Sequence, residues 1–107
     1  MGNAGMPGSD YERYRFSVTC HTDDLAVVYC LRALCQFASD DVKPQIGWGG
    51  TKEHEWRAAG NRITLRFTSS TSRDHFLNEA ARLLPANTWR EVSRSDNDPA
   101  RRQRPPH

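Results

Sequence analysis

Residues 22–38, TDDLAVVYCLRALCQFA, leave this chain little freedom in how it packs. Val27, Leu31, Leu34 and Ala38 recur at i, i+4, i+7 and i+11, and Val28, Cys30, Cys35 and Phe37 widen the stripe on both flanks. That spacing predicts an amphipathic helix with one apolar face. Arg32, Gln36 and Tyr29 fall on the opposite side, with Leu25 among them. Asp23 and Asp24 stand at the entrance, where carboxylates complement the helix dipole, and Thr22 is the expected N-cap. A face of this kind must be covered by a second layer, so the rest of the chain is read for what supplies it.

Residues 14–20, YRFSVTC, supply the first strand. Phe16, Val18 and Cys20 alternate with Arg15, Ser17 and Thr19, the period-two pattern of one buried and one wet face. Pro44 forbids continuation of the helix. Residues 44–69 then read as an antiparallel hairpin. Its outgoing arm starts at 45–48, is interrupted by a bulge or bend at Gly49-Gly50, and resumes over 52–58. The chain turns at Ala59-Gly60-Asn61 and returns along 62–68, where Ile63, Leu65 and Phe67 alternate with Thr64 and Arg66. In that register His54 and Trp56 share the face of Ile63 and Leu65, while Glu53 and Glu55 face Thr64 and Arg66 across the strands. A second helix follows the Ser/Thr cluster at 69–72, with Ser70 or Thr71 as its cap. Phe76, Leu77, Ala80, Leu83 and Leu84 form its stripe, and Pro85 stops it. Residues 88–92, TWREV, read as a closing strand.

Two helices with one apolar face each, in the order β, α, β-hairpin, α, β, predict an α+β two-layer sandwich with both helices on one face of an antiparallel sheet. Over residues 13–92 this order resembles the ferredoxin-like βαββαβ superfold, through element order and not through a family motif. Right-handed crossovers set the first and third strands side by side in the centre, where we expect them to be parallel. The resemblance implies no single activity, because that fold carries enzymes, regulatory ligand-binding domains, RNA-binding domains and assembly modules alike.

At 107 residues the chain is expected to form one domain with a modest core. Residues 1–12 are glycine-rich and residues 93–107 polar, proline-containing and basic, and both read as disordered tails. Residues 1–92 hold 11 Lys or Arg against 11 Asp or Glu, so the net charge of +2 resides in the last fifteen residues. A nucleic-acid-binding domain carries its excess on the folded surface, so this distribution argues against one. No apolar run approaches the ~20 residues that span a bilayer, and the N-terminus lacks a signal-peptide pattern. We expect a cytoplasmic chain without a membrane span. Three cysteines, an odd count, fit that reading better than a disulfide framework does.

Chemistry-bearing residues are scattered. Cys20 and His21 are neighbours on a strand and so point to opposite faces, which denies the thiol an imidazole base. The cysteines and histidines show no paired metal-ligand spacing, so no metal and no cofactor is expected. The wet positions of the central strands, Arg15, Ser17, Thr19, Thr64, Arg66 and Thr68, carry no aromatic residue on which bases stack. Arg13, Arg15, Arg62 and Arg66 suit a phosphate or carboxylate, though pairing with Glu53, Glu55 and Glu91 is the simpler expectation. Trp48, beside Gly49 and Gly50, is a candidate for a pocket or an interface, with core filling the blander alternative. These residues favour a small non-enzymatic interaction module acting on a protein partner or a second copy. The alternative is a small-ligand or anion-binding regulatory domain at Trp48, Gly49 and Gly50 or at Arg15 and Arg66, and nucleic acid is the least favoured partner.

Overall fold

Strand β1 (Phe16–His21) is the centre of a three-stranded sheet in the order β2-β1-β3, with β2 spanning Arg62–Phe67 and β3 spanning Arg90–Ser95. The structure is a computed structural model that describes residues 7–39 and 44–101. Both neighbours run antiparallel to β1, with Phe16 opposite Phe67 and Cys20 opposite Ile63 on one side, and Ser17 opposite Ser95 on the other. The α+β sandwich is therefore present. The strands expected to be central and parallel are adjacent but antiparallel. The chain ascends β1, descends helix α2 (Leu25–Ala38), climbs again through 44–58 and so must descend β2. Helix α4 (Ser70–Leu83) carries it back up before β3.

The outgoing hairpin arm is where the expectation fails. Pro44–Ile46 is a 3-10 turn and Glu53–Ala58 is helix α3, so among the described residues the sheet has three strands and not four. One backbone bond ties the segment to β2, from Arg66 N–H to Gly47 C=O at 2.8 Å, and it lies outside the expected register, which set Glu53 and Glu55 against Thr64 and Arg66. Helix won over strand because the segment EHEWRA can cap and pair itself locally. Lys52 N–H donates to Glu55 Oε1 at 3.0 Å, and Arg57 pairs with Glu53 one turn away at 3.3 Å. Glu53 and Glu55 consequently do not face Thr64 and Arg66, and His54 is exposed instead of sharing the face of Ile63. Gly60 and Asn61, both with positive φ, end α3 and turn the chain into β2.

The core lies between the sheet and helices α2 and α4. Val18, Cys20, Ile63, Leu65 and Phe67 from the strands meet Val27, Val28, Leu31, Cys35 and Ala38 of α2 and Phe76 and Ala80 of α4, with Trp56 of α3 closing one end. Phe67 and Phe76 pack with ring centroids 5.4 Å apart. Some residues of the expected stripes lie outside it: Cys30, Phe37 and Leu83 are exposed, Phe37 by 69%. The N-cap of α2 is Asp24, whose carboxylate accepts from Ala26 N–H at 2.9 Å, and that of α4 is Ser69, which accepts from Ser72 N–H at 3.1 Å. Thr22 is freed from capping for another task. Its N–H donates to Asn61 C=O, its C=O accepts the Trp56 indole N–H at 2.9 Å, and its hydroxyl donates to Thr88 C=O at 2.7 Å.

The face of the sheet turned away from α2 and α4 was expected to be open. Helix α1 (Pro7–Arg13) and residues 96–101 instead lie along it, tied by Asp98 N–H to Arg15 C=O at 2.8 Å and Ala100 N–H to Tyr14 C=O at 3.0 Å. Tyr14 and Ser17 are buried as a result. Of the two segments read as disordered tails, residues 1–6 and 102–107 lie outside the described residues. Strand β3 runs on beyond Val92, and Val92 itself is a bulge, since Thr19 pairs with Ser93 and Cys20 with Glu91. No helix among the described residues is long and apolar enough to cross a membrane.

Replacing Trp56 with phenylalanine keeps an aromatic ring at the end of the core, removes the donor to Thr22 C=O and leaves a small cavity where the larger indole stood. Urea unfolding should show the variant less stable by about 1–3 kcal/mol, the range for a buried acceptor left without its partner. An unchanged midpoint would mean that the indole bond contributes nothing.

Candidate functional site

The five residues singled out by sequence do not form one site, because the loop at 47–50 straddles the edge of the sheet. Gly47 holds the loop to β2 through Arg66 N–H. Trp48 then turns toward the helices and Gly49 and Gly50 toward the far face. Thr51, buried, fixes the loop by donating from its hydroxyl to Trp48 C=O at 2.6 Å. Gly50 has φ 81°, a conformation that a side chain would strain.

On the helix side Trp48 is half-buried against the core, and its indole N–H donates to Gln36 Oε1 of α2 at 3.1 Å. Above its ring, 4.8 Å from the centroid, sits the Arg32 guanidinium, which also lies 5.8 Å from the ring of Tyr29. Residues i and i+3 of a helix share a side, so Tyr29 and Arg32 of α2 stand next to each other and Trp48 completes the stack. Tyr29 is half exposed. Among the described residues Arg32 has no carboxylate partner, and its Nε is buried without an acceptor. The sequence placed Tyr29, Arg32 and Gln36 together on the polar side of the helix, but only the fold brings Trp48 over them.

On the far side, Gly49, Gly50 and Arg66 border one cleft. Arg66 does not pair with Glu53, Glu55 or Glu91. It is held by Asp98, with Nε donating to the backbone oxygen at 2.8 Å and Nη2 to Oδ2 at 3.0 Å. Arg15 lies apart from the cleft lining. Its guanidinium donates to Glu12 C=O at 2.9 Å and to Asn97 Oδ1 at 3.3 Å, which makes it a clasp on residue 97. Glu91 pairs with Arg94 at 2.6 Å, a contact that the bulge at Val92 makes by turning residues three apart to the same side.

The buried thiols, Cys20 and Cys35, are poor nucleophiles for a physical reason. Burial, with the Glu91 carboxylate adding to it, pushes the Cys20 thiol up to about 12 from an ordinary 9.0. Burial, with Cys20 nearby, pushes Cys35 up as well. A neutral thiol attacks slowly. His21 lies on the other face of β1 from Cys20, with Nε2 3.5 Å from Asp23 Oδ1. Among the described residues no group of three or more His, Cys, Asp or Glu side chains is placed to hold a metal ion.

All three cysteines are free, and Cys30 alone is exposed. A thiol reagent at pH 8 should label Cys30 in the native protein and reach Cys20 and Cys35 only on unfolding, as counted by mass spectrometry. Raised native values also fix the sign of the alkaline response. The unfolded chain releases these protons from about pH 9 while the native one retains them, so their contribution to stability is complete below pH 9 and falls as pH rises toward 12.

Comparison with protein-family models, with curated proteins and with solved structures finds no match to this chain.

Proposed function

We propose that this chain is a non-enzymatic α+β interaction module that binds a protein partner through the Tyr29, Arg32 and Trp48 surface. The observation that carries this reading is the state of Arg32. Its guanidinium lies over the Trp48 ring, with the Tyr29 ring beside it, and lacks a carboxylate among the described residues. A guanidinium so held has already given up much of its rotational freedom, so a carboxylate that docks there gains charge-assisted hydrogen bonds at small entropic cost. Tyrosine, tryptophan and arginine are also the residue types that most often dominate the energy of protein interfaces. The Tyr29 ring, half exposed, offers the apolar margin that such a contact needs to exclude water. The partner chemistry that fits is an acidic residue flanked by an apolar one. Free, unpaired thiols support placing the module in the cytoplasm.

Selection of short peptides from a random display library against the whole chain tests the proposal. Selected sequences should be enriched in Asp or Glu beside an apolar residue, and they should bind Arg32→Ala and Trp48→Ala at least tenfold more weakly than the original protein, as measured by titration calorimetry. Peptides that bind both variants as well as the original would sink this surface as the site. Light scattering at high concentration separates a second copy from a different protein as the occupant, since only the former raises the mass of the chain alone.

A further inference from the structure

We infer that the cleft on the far face of the sheet is a separate binding site for a small organic oxyanion, a carboxylate or phosphate ester. The cleft encloses about 780 Å³, within the range of about 300–1,000 Å³ typical of small-molecule sites. Strands β1 and β2 form its floor, helix α1 and residues 100–101 one wall, and the Gly49-Gly50 turn the other. This site shares no side chain with the Arg32 surface and stands or falls independently of it.

Charge is the first argument. Arg62, Arg66 and Arg101 all line the cleft, and among the described residues only Arg66 has a carboxylate partner, Asp98. The acid in the lining, Asp10, is drawn to Arg13 at 3.3 Å. Arg62 and Arg101 therefore border a shared concave space, and neither forms an ion pair among the described residues. That arrangement attracts an anion.

The floor gives the second argument. Thr19 and Thr64 stand opposite each other in the β1/β2 register, and their hydroxyl oxygens are 2.8 Å apart. Each hydroxyl carries one proton, and their mutual bond uses one of the two. The remaining O–H has no protein acceptor among the described residues and is left for a ligand. An oxyanion accepts from such a donor and from both guanidiniums at once. A neutral sugar or an apolar molecule leaves the arginines unanswered.

The third argument sets the class of ligand. The floor residues Thr19, Thr64 and Arg66 carry no aromatic ring, and Tyr11 of the α1 wall is the single aromatic residue in the lining, so successive bases find no row of rings to stack on and a small anion suits the cleft better than single-stranded nucleic acid. Ile46 and Ala59 on the Gly49-Gly50 side give a small organic body a place to rest beside its charged end.

Amide chemical-shift titration of the whole chain tests the site, using citrate, glucose 6-phosphate and glucose, with sodium chloride matched in ionic strength. Saturable shifts centred on Thr19, Gly49, Gly50, Arg62 and Thr64 are expected with citrate or glucose 6-phosphate, whichever carries the preferred head group, and none with glucose. Arg62→Ala and Arg101→Ala, at exposed positions and checked for an unchanged thermal melt, should each weaken binding about tenfold, the effect of losing one charge-assisted contact. Shifts reproduced by chloride, or an affinity equal in both variants, would overturn the proposal. So would a decamer of uridylate that binds more tightly than either small anion with a steep salt dependence, because it would assign the cleft to nucleic acid.

Discussion

Thr22 sits where β1 ends and α2 is about to begin, and each of its polar groups is committed to a different part of the chain. Its N–H holds Asn61 at the start of β2, its carbonyl takes the Trp56 indole of α3, and its hydroxyl holds Thr88 before β3 while accepting from Asp24 N–H at 3.2 Å. The residue is 1% exposed, so none of these groups has water as an alternative. In a buried position an unmade hydrogen bond costs more than a made one contributes, and the four partners are therefore mutually dependent. Loss of α3 from its place uncovers the end of the core where Trp56 lies, and it also releases the turn that sets the register of β2. A domain of this size has few large apolar residues to spare. Its end is closed by one tryptophan and one threonine.

A second pair of ties explains why the segment after β3 is part of the structure. Arg73 of α4 is 4% exposed and donates to the carbonyls of Ser17 and Ser95 while pairing with Asp96 at 2.8 Å. From the opposite face of the sheet, Arg66 grips Asp98. The same short stretch is thus held by one arginine from the helix layer and another from the far face. Asp96 is 69% exposed, so the Arg73 pair keeps one end in water, and the two carbonyls supply Nη1 with acceptors while Nε is buried without one. Residues with no apolar character can be ordered in this way, through backbone acceptors and charge, and composition gives no sign of it.

That contrast describes what could be read in the sequence. Elements with strong apolar periodicity were legible: β1, α2, the return strand β2 and α4 all stand within a few residues of where the spacing puts them. The exception, α3, has a single large apolar residue, Trp56, and one residue cannot define a period. Alternation of His54 and Trp56 suggested a strand. The Glu53 and Arg57 spacing and the good helix propensity of glutamate, arginine and alanine point to the helix that forms. The strand β3 was legible only as a short run, because nearly all of its side chains are exposed and β1 is its one strand partner. Of the candidate site residues, Trp48 was singled out beside Gly49 and Gly50 because helix periodicity does not explain it, and Arg66 because it falls on the wet face of its strand. What sequence could not give was their division between two surfaces, which depends on the loop crossing a sheet edge.

The missing fourth strand is what permits that division. Had residues 45–58 paired along β2, alternate side chains would have been assigned rigidly to the core or to the far face. A helix beyond a four-residue turn gives the loop more latitude. It makes one backbone bond at Gly47, sends an aromatic ring over α2, and then, through glycines without side chains to bury, borders the opposite cleft. The edge of β2 is thereby covered by turn and helix instead of strand, which removes a site for indiscriminate pairing. At the other edge, β3 is protected differently, by the Val92 bulge and by Arg90, Glu91 and Arg94. With both edges discouraged from strand addition, the side chains on the two faces are the surface that this fold leaves open.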